Sequence, residues 1–155
     1  MTSPAAGSPA EFAGIIRPLE PRDHPRVAEL AGQLTYPSTP QEIARRLQGM
    51  QGSPDHAVFV AELRAGEIAG WIGLFVQRTV EADPRVEISG LVVDERFRSQ
   101  GVGERLLARA EQWARERGCL TIGLRSNVIR DRAHAFYERH GYTHTKTQKS
   151  FRKQL

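Results

Sequence analysis

The chain contains one cysteine, Cys119. A lone thiol closes no intrachain disulfide, so nothing points to an oxidising compartment, and a cytoplasmic protein is expected. The simplest role for Cys119 is a small buried apolar residue. Long apolar runs are missing too. No stretch approaches the roughly 18 residues of a membrane helix, and no membrane partner is expected. The opening MTSPAAGSPAEF lacks the basic and apolar regions of a secretory signal. Its Ala, Ser, Pro and Gly content reads as a mobile tail over residues 1–12. There is no block of Lys and Arg. The net charge of +4 and pI of about 9.7 admit an anionic ligand but leave nucleic acid a weak expectation. No metal-binding spacing and no Ser-His-Asp order occurs. His140 and His144 are four apart, but Gly141-Tyr142 lies between them and denies them a shared helical face. No metal is expected.

What remains is a 155-residue chain with 39% apolar and 26% charged residues, enough for one globular domain with a real core. No repeat or domain-scale linker interrupts it, so a single domain is expected over residues 13–155. GIIRPL (14–19) reads as a short strand. Asp23 is placed to cap a helix that carries Val27, Leu30, Ala31 and Leu34 on one face. Thr39-Pro40 opens a second helix with Ile43, Ala44 and Leu47 on one face. The period then shortens. HAVFVAEL (56–63), EIAGWIGLFVQRTV (67–80) and RVEISGLVVDE (85–95) read as strands, the first two joined by a turn at Arg64–Glu67. Gly90, inside the third, predicts a bulge or a close approach. GERLLARAEQWARERG (103–118) is the clearest helix, with Leu106, Leu107, Ala110, Trp113 and Ala114 in one stripe and Gly118 as its stop. Strand CLTIGLRS (119–126), helix Asp131–His140 ended by Gly141, and one or two strands in YTHTKTQKSFRKQ (142–154) complete the reading. The order is that of a mixed α/β (α+β) sheet with flanking helices.

The stretch RFRSQGVGERLL puts Gly101 and Gly103 at the mouth of the clearest helix. Glycine weakens a helix, so its presence there needs a reason. A helix N-terminus presents unpaired N–H groups and the positive end of the dipole, and residues without Cβ let a bulky anion approach them. Arg98 and Arg105 add charge. A dinucleotide fingerprint requires a third glycine where Leu106 stands, and a P-loop requires a Gly-Lys pair that is missing. By the residues alone, an anion site and a tight strand-to-helix turn remain equal alternatives.

Arg98-Ser99-Gln100-Gly101-Val102-Gly103 resembles the R/Q-x-x-G-x-G/A signature of the GNAT N-acetyltransferases. As in that family, an apolar strand ending in LVVDERF precedes it and a long amphipathic helix follows. Downstream, Ala133 to Tyr142 (AHAFYERHGY) is similar to the family's A-x-x-F-Y-x-x-x-G-F/Y segment. The resemblance covers roughly residues 14 to 150. It implies an acyl-CoA N-acyltransferase fold and acetyl-CoA as cosubstrate. The implied cofactor contacts are a pantetheine arm along Leu91, Val92 and Val93, and a diphosphate on the loop and helix start, Arg98, Ser99, Gln100, Gly101, Val102, Gly103, Glu104 and Arg105. Further contacts are implied from Asn127, Arg130, Ala133 and Phe136. One departure stands out: Arg130 occupies the position three before the matching alanine, where many members carry asparagine, and Asn127 lies one turn earlier.

Acetyl transfer to an amine needs a neutral amine, a stabilised oxyanion and a protonated or stabilised leaving thiolate. Tyr137 matches the family tyrosine near the CoA sulfur and is the candidate acid; its alternative is core packing beside Phe136. Glu87 is the one carboxylate inside the preceding strand and stands fourteen positions before Gly101, the offset of the base in the histone-acetylating branch. It is the candidate base; its alternative is a solvent-facing strand residue paired with an arginine. A backbone N–H near Val93 is the expected oxyanion donor. His134 is expected to pack or hydrogen-bond, Trp113 to sit in the core, and Trp71 to be core or acceptor-side lining. The family's acceptor pocket corresponds to Gln33–Gln41, including Tyr36, and the final strands. The acceptor itself stays open among small-molecule, peptide and protein amines, with a polycationic one disfavoured by the basic chain; a homodimer stays open as well. The alternative to catalysis is a non-catalytic acyl-CoA or nucleic-acid binding module on the same fold.

Overall fold

The computed structural model describes residues 12–155. Five strands form one sheet in the order β1-β2-β3-β4-β5: β1 Gly14–Pro18, β2 His56–Leu63, β3 Ile68–Gln77, β4 Arg85–Val93 and β5 Ile122–Leu124. The first four pair antiparallel. Four α-helices accompany them: α1 His24–Gln33, α2 Pro40–Gln48, α3 Val102–Glu116 and α4 Asp131–Arg139. The chain divides into two compact units, a larger one ending at Gly123 and a smaller one, Leu124–Leu155.

Pairing register sorts the larger unit's core into two faces. Val60, Trp71 and Val92 stand directly opposite one another across β2, β3 and β4, so their side chains leave the sheet on one side. There Val60 and Val92 join Val27 and Leu30 of α1 and Ile68 in a buried cluster, with Trp71, Leu34 and Ile43 packed against it. One step along, Ala61, Gly70 and Val93 are opposite one another and face the other side. That side meets α3: a Cβ on Gly70 would stand 3.3 Å from a Leu106 methyl. Leu106, Leu107, Ala110, Trp113 and Ala114, the stripe expected from periodicity, are all buried. Each fully buried leucine contributes about 1.5–3 kcal/mol of transfer free energy.

The ends of the helices follow local chemistry. Thr39 caps α2 as expected: its hydroxyl accepts from Glu42 N at 3.1 Å and the Glu42 carboxylate accepts from Thr39 N at 2.9 Å. Gly118, at φ 72°, stops α3. Gly118 N donates to Arg115 O and Cys119 N to Ala114 O, both at 3.0 Å, a Schellman closure.

Several expectations need correction. The Schellman closure uses the Cys119 amide, so the strand expected over 119–126 begins only at Ile122 and runs three residues. Asp23 precedes α1 but makes no side-chain cap to it. Its buried carboxylate instead accepts from Arg17 Nη1 and Nη2, at 2.8 and 2.9 Å, and from Glu20 N at 2.8 Å. Residues 143–155 are exposed and form no strand. Alternating Thr with His, Lys and Gln offers neither face an apolar side to bury, so propensity alone does not make a strand there. Of the expected tail, residues 1–11 lie outside the described residues, whereas Phe12 is buried and belongs to the fold. Among the described residues no helix is long and apolar enough to cross a membrane.

Candidate active site

The site is built on β4. Its register against β3 slips once: Gly73 is opposite Gly90, but Leu74 is opposite Ile88, leaving Ser89 as the extra residue. The bulge expected at Gly90 therefore falls one residue earlier. Gly90 serves a different need. A Cβ there would lie 3.0 and 3.1 Å from the Trp71 ring, so glycine is what lets the indole approach the strand this closely.

The bulge also rephases the backbone. Before it, Val86 N points away from β3 and donates to Thr121 O, one residue before β5. After it, Asp94 N donates to Ala69 O at 2.8 Å, so the Asp94 amide points inward, to β3. Alternation then turns the N–H and C=O of Val93 and of Leu91 to the outer edge, away from β3. β5 is three residues long and meets β4 at its beginning, so it ends before reaching Leu91. The larger unit thus leaves a short row of edge donors and acceptors of the kind that an extended amide chain can pair with.

That edge runs straight into the glycine loop. Ser99 and Gly101 are both left-handed, at φ 62° and 84°, and Gly101 is the N-cap of α3. A backbone of alternating hand followed by a helix start is an anion-binding concavity. The first bond within the helix is Arg105 N to Gly101 O, at 3.1 Å, and the cap supplies no side-chain acceptor. The amides of Val102, Gly103 and Glu104 are therefore left for a partner outside the helix. Val102 buries its side chain, so only its backbone can serve a ligand; the same holds for Val92. Arg98 makes no ion pair among the described residues, whereas the Arg105 guanidinium lies 5.5 Å from the Phe12 ring centroid. Gln100 is exposed, its amide nitrogen 3.4 Å from Arg96 O.

Glu87 sits near the start of β4, opposite Phe75 and on the same sheet face as Trp71 and Val92. It is buried, not a solvent-facing strand residue. A Cβ on Gly123 would lie 3.8 Å from its Oε2, so a bare glycine borders the carboxylate. Trp113 is core, as expected. Tyr36, within the α1–α2 connection, is 71% exposed and outside the core.

In the smaller unit, Asn127 closes the turn into α4. Its side-chain oxygen accepts from Ile129 N at 3.2 Å and its carbonyl from Arg130 N at 3.0 Å. Arg130 is the N-cap residue of α4, and Ala133 is half-buried in its first turns. His134 secures the turn, its Nε2 lying 3.1 Å from Ser126 Oγ and 3.0 Å from Asn127 O. Tyr137 packs edge-on against Phe136 at 5.2 Å and Tyr142 at 5.6 Å between ring centroids. Burial pushes the phenol up to about 12, with the Arg130 charge opposing it. It is therefore a neutral donor at any physiological pH.

Two acidic anchors are buried against arginines: Asp23, which sequence reasoning took for a helix cap, and Asp94, which it missed. The DER triplet after an apolar strand was the available signal for the second.

Comparison with known proteins agrees on one family. The model of the acetyltransferase (GNAT) family matches residues 22–142. Aminoalkylphosphonate N-acetyltransferase of Salmonella typhimurium is 43% identical over 81 residues, which are 52% of this chain and 53% of that protein; this chain thus matches about half of that relative's length. Aminoglycoside N(6')-acetyltransferase type 1 of Klebsiella aerogenes is 29% identical, covering 91% of this chain and 97% of that protein. The crystal structure of glucosamine-6-phosphate N-acetyltransferase from Arabidopsis thaliana superposes with a TM-score of 0.77 at 28% identity, covering 89% and 97% of the two chains.

Proposed function

The chain belongs to the GNAT family of acetyltransferases, and on that premise we propose that it moves an acetyl group from acetyl-CoA directly to the primary amine of a small molecule. The observation that carries this reading is one continuous run of backbone. The outward edge of Leu91 and Val93 leads through the left-handed Ser99 and Gly101 to the open amides of Val102, Gly103 and Glu104. Edge groups suit the amides of a pantetheine arm, and helix-start amides beside Arg98 suit a diphosphate. When bound, acetyl-CoA supplies an activated acyl carbon and a thiolate leaving group.

The chain's own groups supply the rest. Glu87 takes the proton of the acceptor ammonium, directly or through water, leaving a neutral nucleophile. The Val93 amide donates to the oxyanion as the acyl carbon becomes tetrahedral. Tyr137, protonated because its pKa is raised to about 12, donates to the departing sulfur. Named relatives act on an aminoalkylphosphonate and an aminoglycoside. A net charge of +4 favours an acceptor carrying an anionic group over a polycationic one.

The test is the melting temperature with and without millimolar acetyl-CoA. Cosubstrate at 100 times its Kd adds about 2.7 kcal/mol, which for a chain of this size is a rise of about 5–10 °C. No rise would make the glycine loop a tight turn and nothing more. Thiol release with an aminoalkylphosphonate, glucosamine 6-phosphate and an aminoglycoside as acceptors then ranks the classes.

A further inference from the structure

We propose that Asp94 is a positioning residue for the diphosphate loop, the hub of a charged clamp that sets where the loop's backbone stands. This inference rests on the reading of the loop as a phosphate site. Asp94 is the first residue after β4 and is 3% exposed. Its amide holds it to Ala69 O, and its carbonyl accepts from Phe97 N, both at 2.8 Å. Its carboxylate accepts from Arg96 N at 3.0 Å, from Arg96 guanidinium nitrogens at 2.9 and 3.2 Å, and from Arg26 of α1. Arg26 also donates to Ile68 O at 3.1 Å and pairs with Glu29 at 3.0 Å. Arg96 reaches on to Glu67 in the β2–β3 turn. Gln33, at the last turn of α1, accepts from Glu95 N at 3.2 Å. Helix α1, the β2–β3 turn and the end of β4 thus all grip the short turn Glu95–Phe97, and the next residues are Arg98 to Gly103.

The placement is hard to account for by stability alone. Buried ion pairs offset little more than their own desolvation. This one sits where the chain must leave an ordered strand, turn, and present helix-start amides at a defined height. Errors of about 1 Å in such a group cost up to about a hundredfold in what it serves. The carboxylate is held ionised by the Arg96 hydrogen bonds first, which outweigh burial, with Arg26 adding to them. The clamp is therefore closed throughout the physiological range.

Charge and position make opposite claims, and this makes the idea testable. Asp94→Asn and Glu67→Gln each remove a negative charge near the loop. By charge alone both variants would bind an anion more tightly. If the clamp positions the amides, both bind CoA more weakly. The experiment titrates wild type and the two variants with CoA and, separately, with pantetheine, which lacks the phosphates. The expected result is that wild type prefers CoA, that Asp94→Asn loses about tenfold or more of that preference, and that Glu67→Gln loses a smaller part. Pantetheine affinity stays within about twofold throughout. Glu67 is a partly exposed turn residue, so its variant folds even if loss of Asp94 does not allow folding. A wild type without preference for CoA would overturn the phosphate-site reading and this inference with it. A wild type that prefers CoA, with variants that prefer it equally or more strongly, would overturn the inference alone.

Discussion

Replacing Gly101 by alanine and, separately, by glutamate divides what the loop's conformation contributes from what its charge contributes. Gly101 stands at φ 84°, and an added Cβ would meet only Phe12, at 3.7 Å from its N and 3.9 Å from its Cβ. These are ordinary contacts, so alanine is resisted by conformation and not by crowding. A left-handed L-residue costs about 1–2 kcal/mol, partly offset by a stiffer unfolded chain, for a net loss of about 1 kcal/mol. The expected fall in Tm is about 2–4 °C. Glutamate carries the same conformational cost. Without ligand its carboxylate sits at the positive end of a helix 15 residues long, which returns about 0.3–1 kcal/mol. The free Gly101→Glu protein is therefore expected to melt at or slightly above Gly101→Ala. With ligand the order reverses. Two like charges 4 Å apart repel by about 1 kcal/mol in bulk water and about 4 kcal/mol at an effective dielectric of 20. Glutamate should bind CoA about fivefold to about a thousandfold more weakly than alanine. Calorimetric titration of both variants with CoA at two salt concentrations reads this out, the gap narrowing at high salt. If Gly101→Glu binds CoA as tightly as Gly101→Ala, the amides of α3 do not hold its phosphates.

Tyr137→Phe should lower kcat while leaving CoA affinity nearly unchanged; unchanged turnover would remove the acid role. The same tyrosine affects alkaline stability. Its folded pKa, about 12, lies above its ordinary value of 10, so the folded state loses stability as pH climbs from about 10 to 12. Urea unfolding at pH 9 and 11.5 should show Tyr137→Phe to be less alkali-sensitive than wild type. Glu87→Gln should lower kcat by about 10²–10⁴ with little change in acetyl-CoA affinity; retained turnover would point to a water chain without the carboxylate. Asp23→Asn breaks a buried pair with Arg17 and should cost about 3–5 kcal/mol at neutral pH. Burial alone would raise the Asp23 pKa, but the Arg17 bonds and the Glu20 amide hold it below its ordinary 3.8. The stability it adds is present above that value and is lost on acidification below it, so the gap between variant and wild type should close there. Gly90→Ala would press a methyl into the Trp71 ring and should cost about 1–3 kcal/mol by denaturant unfolding.

Much of the larger unit was legible as pattern. The stripe of α3 announced a buried face, Thr39-Pro40 announced a capped helix, and β2 runs over the very residues its composition marked. These features are short-range: a period, a cap and a stop are written within one or two turns of chain. The β5 boundary was not legible, because the amide of Cys119 belongs to the helix stop and the letters alone do not show which element claims it. Nor was the want of a strand after Tyr142, because β-propensity yields a strand only where an edge and an apolar face wait to receive it.

The sequence by itself determined where the loop stands and what it can do. Gly101 permits a left-handed N-cap without a Cβ penalty, and any helix start leaves amides unpaired, whatever surrounds it. Tertiary structure alone decided how β4 is used. Whether Leu91 and Val93, or their neighbours, face the outer edge depends on a one-residue slip against β3 at Ser89. Whether Glu87 is buried, and whether Asp94 finds Arg26 sixty-eight residues away, depends on which elements pack together. Such facts come from pairings distant in sequence, whose energies are won only when the chain has closed on itself.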